Sequence, residues 1–204
     1  MTPQTLHLRR RAAIWLTALA AGAALLPMVV HAQAAASPRV KLSTSQGDIV
    51  IELYPDKAPK TVENFLQYVR DKHYDGTVFH RVISNFMVQG GGFDSNYKQK
   101  PTRPPVAHEG QAALALGGPR NVVGTVAMAR TNDPQSASSQ FFINVQDNAF
   151  LDPKGGNPGY TVFGRVVSGM DVVNRIKGVQ TGNAGMHGDV PLTPIVIQSA
   201  TLVK

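Results

Sequence analysis

Residues Phe79 to Phe93 read FHRVISNFMVQGGGF. One permanent cation, Arg81, stands among Phe79, Val82, Ile83, Phe86, Met87 and Val88; Gln89 and three glycines follow. A charge in apolar company is costly unless it is paired, solvated or used. Two readings are open from these residues alone. Arg81 is a surface residue on an alternating strand, with Gly90–Gly92 forming a tight turn that lets backbones approach closely. Or the stretch is a site, and the cation is there for chemistry.

The rest of the chain narrows the choice. It has 204 residues, 43% of them hydrophobic, enough for one sizeable core. It has no cysteine, which excludes disulfides, thiolate nucleophiles, Cys-ligated zinc and lipid attachment at cysteine. Arg9, Arg10 and Arg11 precede an uncharged run from Ala12 to Val30, and small residues follow at Ala32 and Ala34. This is the layout of a secretory signal over residues 1–34, cleaved after Ala32 or Ala34. The alternative is an uncleaved anchor, since the run is almost long enough to span a bilayer. Cleavage leaves no stable membrane insertion and lowers the formal charge by the three arginines, from +7 to +4. Lys98, Lys100 and Arg103 form only a loose basic cluster, so no nucleic-acid partner is expected.

Residues 35–204 read as a single domain opening about Pro38. VKLSTSQGDIVIELY places two β-branched runs around Ser45-Gln46-Gly47-Asp48, a hairpin pattern. Thr61 is a candidate helix N-cap, with Val62, Phe65, Leu66 and Val69 following at helical spacing. Further strands are expected at 77–82, 86–89, 125–129, 140–144, 160–167 and 195–203, and a second helix at 169–177. Many short strands with turns between them predict an antiparallel sheet or barrel. The segments 98–121 and 145–159 read as long loops, which in compact domains tend to carry function or to move. No long amphipathic face or exposed strand edge is evident, so a monomer is expected.

Motifs for several chemistries are missing. His73, His80, His108 and His187 show no i, i+3 or i+4 partner and there is no HExxH, so no metal is expected. No GxSxG elbow supports a hydrolase. GGG fits neither GxGxxG nor a P-loop, so nucleotide binding is not expected. A second segment, Gly124 to Asp152 (GTVAMARTNDPQSASSQFFINVQDNAFLD), again sets a glutamine, Gln140, beside an apolar run. Taken alone, each segment also reads as a core strand with a polar neighbour.

Together, FHRV..FMVQGG and SQFFI resemble the signature blocks of the cyclophilin peptidyl-prolyl isomerases. The similarity extends from VKLSTSQGDIVIELYPDKAPKTVENFL to the final strand, and MARTNDPQSASSQFFINVQDNAFLD and YTVFGRVVSGMDVV look most like the bacterial periplasmic branch. The resemblance implies a mainly β fold: a closed eight-stranded antiparallel barrel capped by two α-helices. It implies cofactor-free cis–trans isomerisation of X-Pro bonds in unfolded or exported polypeptides, in the periplasm. Arg81 takes the position of the catalytic arginine. Phe86, Met87, Phe142 and Leu151 take those of the proline pocket, and Gln89 and Gln140 those of the adjoining groove. Ala129 and Arg130 take those of a backbone-pairing edge. His80 reads as a buried histidine hydrogen-bonded to backbone. A chaperone or peptide-binding module on the same fold is the alternative, but pure binding does not require Arg81.

The sequence departs from the family pattern in places. Ser84-Asn85 stands where Pro-Gly is usual, and asparagine tolerates the left-handed conformation such a turn could need. Phe150 stands where many relatives have tryptophan, whose ring N–H donates to cyclosporin; weak cyclosporin binding is therefore expected. Tyr160 stands where many have histidine, its hydroxyl able to reach a substrate carbonyl. The segment Ala113 to Asn121 is longer than in close relatives.

Overall fold

The structure, a computed structural model, describes residues 37–203. The expected signal segment lies outside the described residues. The first hairpin forms as its pattern predicts: β1 (Arg39–Thr44) and β2 (Gly47–Leu53) pair in register across a two-residue turn. Then come α1 (Pro59–Arg70), β3 (Thr77–Ile83), β4 (Met87–Asp94), α2 (Gly110–Ala115), β5 (Thr125–Met128) and β6 (Phe141–Asn144). The chain continues through β7 (Val162–Ser168), α3 (Met170–Lys177), β8 (Thr181–Ala184), β9 (His187–Pro191) and β10 (Val196–Val203). Eight strands close an antiparallel barrel in the order β1-β10-β3-β4-β6-β5-β7-β2. Closure removes exposed sheet edges, and a barrel of this size is filled by side chains.

Period-two alternation sorts the side chains into two faces. Val82, Val88, Ile143 and Val126 are successive cross-strand partners on β3, β4, β6 and β5, and all point into the core. Phe79, Gly90, Phe141 and Met128 form a second inward row. The buried faces of α1 (Val62, Phe65, Leu66, Val69) and α3 (Val172, Val173, Ile176) join the same core. Each large apolar side chain so buried contributes about 1.5–3 kcal/mol against chain entropy.

Several expectations need correction. Thr61 is not the N-cap: α1 starts at Pro59 and no side chain of its own caps it. Instead the buried Glu109 carboxylate accepts from the Lys60 and Thr61 N–H groups at 3.1 and 2.8 Å and from Thr61 Oγ1 at 2.7 Å. A distant carboxylate thus satisfies the orphan donors and meets the positive end of the helix dipole. Gly90–Gly92 are not a turn but lie inside β4; the close approach half of that reading holds. Gly91 has φ +85, and a Cβ at Gly92 would lie 2.4 Å from Gln140 Cγ. The Ser84-Asn85 turn closes through Phe86 N–H to Ile83 O at 3.0 Å, without a left-handed residue at either position. The long segment 98–121 contains a third helix, α2, whose Ala113 reaches the core. The β8–β9 hairpin, outside the barrel, was not expected.

Candidate active site

Strand register also lays out the other face. Arg81, Gln89, Phe142, Ala127 and Val162 are successive partners across β3, β4, β6, β5 and β7. Met87, Ala127, Phe142, Leu151 and Val162 form a second buried apolar cluster outside the barrel core, with Ile83, Phe86, Ala129 and Tyr160 packed against it. Simple alternation would put Arg81 on the same face as Phe79. A β-bulge prevents that: Phe79 pairs with Gly90 while Arg81 pairs with Gln89, so His80 is the extra residue. The bulge reverses the phase of β3 and turns Arg81 outward, a known use of bulges beside functional sites.

Over this face lies a cavity of about 180 Å³ lined by Arg81, Phe86, Met87, Gln89, Ala129, Arg130, Phe142, Leu151 and Tyr160. Gln140 lines an adjoining depression that shares Gln89, Ala129 and Arg130. Phe150 stacks on Phe86 (5.5 Å, 27°) and is 67% exposed, at the rim. All the predicted site residues therefore meet in one region. Gln89 Nε2 donates to Gln140 Oε1 at 2.9 Å. The missing side chain at Gly92 is what leaves room for Gln140.

The two arginines differ. Arg130 Nε and Nη2 donate to Gly159 O at 3.1 and 3.0 Å, Nη1 donates to Thr131 O at 2.8 Å, and the guanidinium lies 4.4 Å over the Tyr160 ring. Phe142 meets the same ring edge-on at 5.6 Å. The Arg81 guanidinium has no hydrogen-bond acceptor among the described residues; its one ion pair is a 3.6 Å approach of Nε to Asp189.

Residues that sequence reading missed hold the pocket wall in place. Asn148 Nδ2 donates to Phe86 O at 2.9 Å and to Asn144 Oδ1 at 2.7 Å. Asn144 Nδ2 donates to Asn121 Oδ1 and Thr125 Oγ1, and Asn121 donates from N and Nδ2 to Asp152 Oδ1. This buried amide network ties the Ala149–Leu151 turn to β5 and β6. It also gives the Ala113–Asn121 segment a task, because Asn121 anchors its end. Asn144, Asn148 and Asp152 recur every four residues in INVQDNAFLD, but the segment is a strand end and a turn rather than a helix face, so the spacing does not flag them.

His80 is buried as expected, but its Nδ1 has no hydrogen-bond partner. Burial first, and the nearby His187 second, lower its pKa to about 4, so the ring is neutral near pH 7. Among the described residues no group of three His, Asp or Glu side chains could hold a metal ion. What the site offers is an apolar pocket with one uncommitted guanidinium at its edge, suited to binding and polarising a group rather than to covalent or hydrolytic chemistry.

Comparison with known proteins agrees with this arrangement. The family described as cyclophilin type peptidyl-prolyl cis-trans isomerase matches residues 39–202. A peptidyl-prolyl cis-trans isomerase of Streptomyces antibioticus is 59% identical over 167 residues, covering 80% of this chain and 98% of that one. Peptidyl-prolyl cis-trans isomerase B of Escherichia coli is 53% identical over 166 residues, with the same shares of 80% and 98%. A crystal structure of a cyclophilin type isomerase from Cryptosporidium parvum superposes with a TM-score of 0.64 at 22% identity, over 82% of this chain and 98% of that one. With its barrel, its outward pocket and matches of this extent, the chain belongs to the cyclophilin type peptidyl-prolyl cis-trans isomerases.

Proposed function

We propose that the protein isomerises X-Pro bonds by donating a hydrogen bond from Arg81 to the prolyl nitrogen of the twisted transition state. The peptide bond resists rotation because nitrogen donates its lone pair to the carbonyl, with a barrier of ~18–20 kcal/mol. Twisting ends that donation and leaves a basic, pyramidal nitrogen. A donor aimed there binds the twisted state better than either planar one, which is differential transition-state binding without a covalent step. Arginine suits the task because it is always charged and rigidly forked. Apolar walls strengthen the bond by excluding water. One such donor supplies roughly a hundredfold, about 3 kcal/mol. Pocket shape supplies more.

The proline ring occupies the floor formed by Phe86, Met87, Phe142 and Leu151, bordered by Phe150. Gln89, its amide held by Gln140, contacts the substrate backbone. Ala129 donates its N–H to Gln140 O at 3.0 Å, which leaves its carbonyl for a substrate N–H. Tyr160 offers its hydroxyl to a substrate carbonyl. Clients are unfolded or exported polypeptides met in the periplasm; Arg9–Arg11 and the uncharged run after them support that location.

The observation that carries this reading is the contrast between Arg81, free of acceptors, and Arg130, fully engaged. A coupled cleavage assay on an X-Pro peptide tests it. Arg81→Ala is expected to lose about a hundredfold in kcat/KM. Undiminished kcat/KM would refute the role. An uncatalysed rate with both proteins would leave a peptide-binding module.

A further inference from the structure

A second depression shares Arg81 and Gln89 with the pocket and is lined also by His80, Met186, His187, Gly188 and Asp189. Its outer wall is the β8–β9 hairpin, which is no part of the barrel. His187 seats the hairpin, its ring 4.8 Å from Phe93 and 6.4 Å from His80, the bulge residue of β3. Two residues on, Asp189 brings Oδ2 to 3.6 Å from Arg81 Nε. Asp189 also has φ +58, a left-handed backbone that costs a non-glycine residue energy and tends to persist where function requires it.

We infer that Asp189 is a positioning residue for Arg81, one that steers its guanidinium from the Nε side. This rests on the catalytic reading of Arg81. An arginine with no other acceptor samples many rotamers, and a donor helps only when it is aimed. A carboxylate beside Nε narrows that choice and leaves both terminal amino groups without a protein partner, available to the substrate. The left-handed backbone of Asp189 lies where the β8–β9 register slips, and that irregularity carries its side chain to Arg81. The bulge at His80 and the hairpin thus both act on Arg81. One turns it outward, and the other restrains it.

The two most informative variants are compatible with the fold. Glycine relieves a left-handed position and asparagine tolerates it, so Asp189→Gly and Asp189→Asn remove the charge without straining the hairpin. Turnover and affinity for an X-Pro peptide would be read separately by NMR line shapes, alongside the Arg81 Nε–Hε resonance and thermal midpoints. We expect slower turnover at saturation by about two- to fivefold, as for a half-exposed ion pair. The effect should be larger in Asp189→Gly than in Asp189→Asn, which keeps an acceptor. Peptide affinity should hold, the Arg81 resonance should shift, and the midpoint should not fall. In an Arg81→Lys background, which lacks Nε, the same substitutions should have no further effect. Wild-type turnover in both variants, with Arg81→Ala inactive, overturns the positioning role alone. Wild-type turnover in Arg81→Ala overturns the catalytic reading and this role with it. A loss of affinity with turnover unchanged makes Asp189 a substrate contact and also overturns positioning.

Discussion

Arg81 and Arg130 border one pocket in opposite circumstances. Arg130 spends its donors on Gly159 and Thr131 carbonyls and lies on Tyr160. It is an architectural cation, holding the chain that carries Tyr160. Arg81 has no acceptor among the described residues and one long approach to a carboxylate. The same residue type thus stands as a strut on one side and, on the proposed reading, as a reagent on the other. What separates them is the supply of backbone carbonyls around each. An arginine surrounded by acceptors is satisfied before substrate arrives, whereas one beside apolar side chains can change its partners during a reaction.

Predictions follow from how each side should fail. The largest effect belongs to pH and the ground beneath Arg81. His80 has a pKa of about 4 in the fold against 6.5 when exposed, so the unfolded chain binds more protons between those values. Its contribution is complete above pH 6.5 and is lost as pH falls through about 4, some ~3 kcal/mol. His73 and His108 are also lowered, chiefly by burial, and act in the same direction. Denaturant melts across pH 4 to 7 should show the decline, and a His80→Phe variant should flatten it. Arg81 itself should add no pH dependence to turnover, because arginine does not titrate.

Next comes the pocket wall. Asn148→Ala leaves the buried Asn144 Oδ1 unpaired and Phe86 O with Val145 N–H alone, and should cost about 1–3 kcal/mol, read as a lower denaturation midpoint with weaker peptide binding. Arg130→Met should cost about 1 kcal/mol of stability, because Gly159 O loses two charged donors and keeps only the contact with His108 Nε2 at 3.2 Å. It should raise KM more than it lowers kcat. A kcat loss matching that of Arg81→Ala would erase the distinction between the two arginines. Smallest is Phe150→Trp, which adds a ring N–H at the exposed rim and should tighten cyclosporin by roughly fivefold in calorimetry, about 1 kcal/mol, with turnover little changed.

Alternation and turn chemistry were enough to place the first hairpin, α1, α3 and the closing strand within a few residues. They failed where local signals were weak or where tertiary contacts decide. α2 is six residues, too short to show a helical period. TGNA and HGDVP lack the β-branched alternation of a strand pair, and packing of His187 on Phe93 helps to hold them. The cap of α1 does not show in the local sequence because the acceptor for Thr61, Glu109, lies 48 positions away. No residue near His80 announces a bulge, yet without it Arg81 would face the core. The residues that the fold gathers around the pocket were singled out through family blocks rather than through period or spacing. The supports around them, Asn121, Asn144, Asn148, Asp152 and Asp189, were not, since each acts through a contact that only the folded chain creates.

The most direct test of the account is magnetisation exchange on an X-Pro peptide held at saturation by wild type, Arg81→Ala and Arg130→Met. It reads the rate of cis–trans interconversion on the protein, separately from binding. The account predicts that Arg81→Ala slows interconversion about a hundredfold while still binding the peptide, and that Arg130→Met stays within a few-fold of wild type once saturated. Interconversion at the wild-type rate in Arg81→Ala, or an equal loss in both variants, would contradict it.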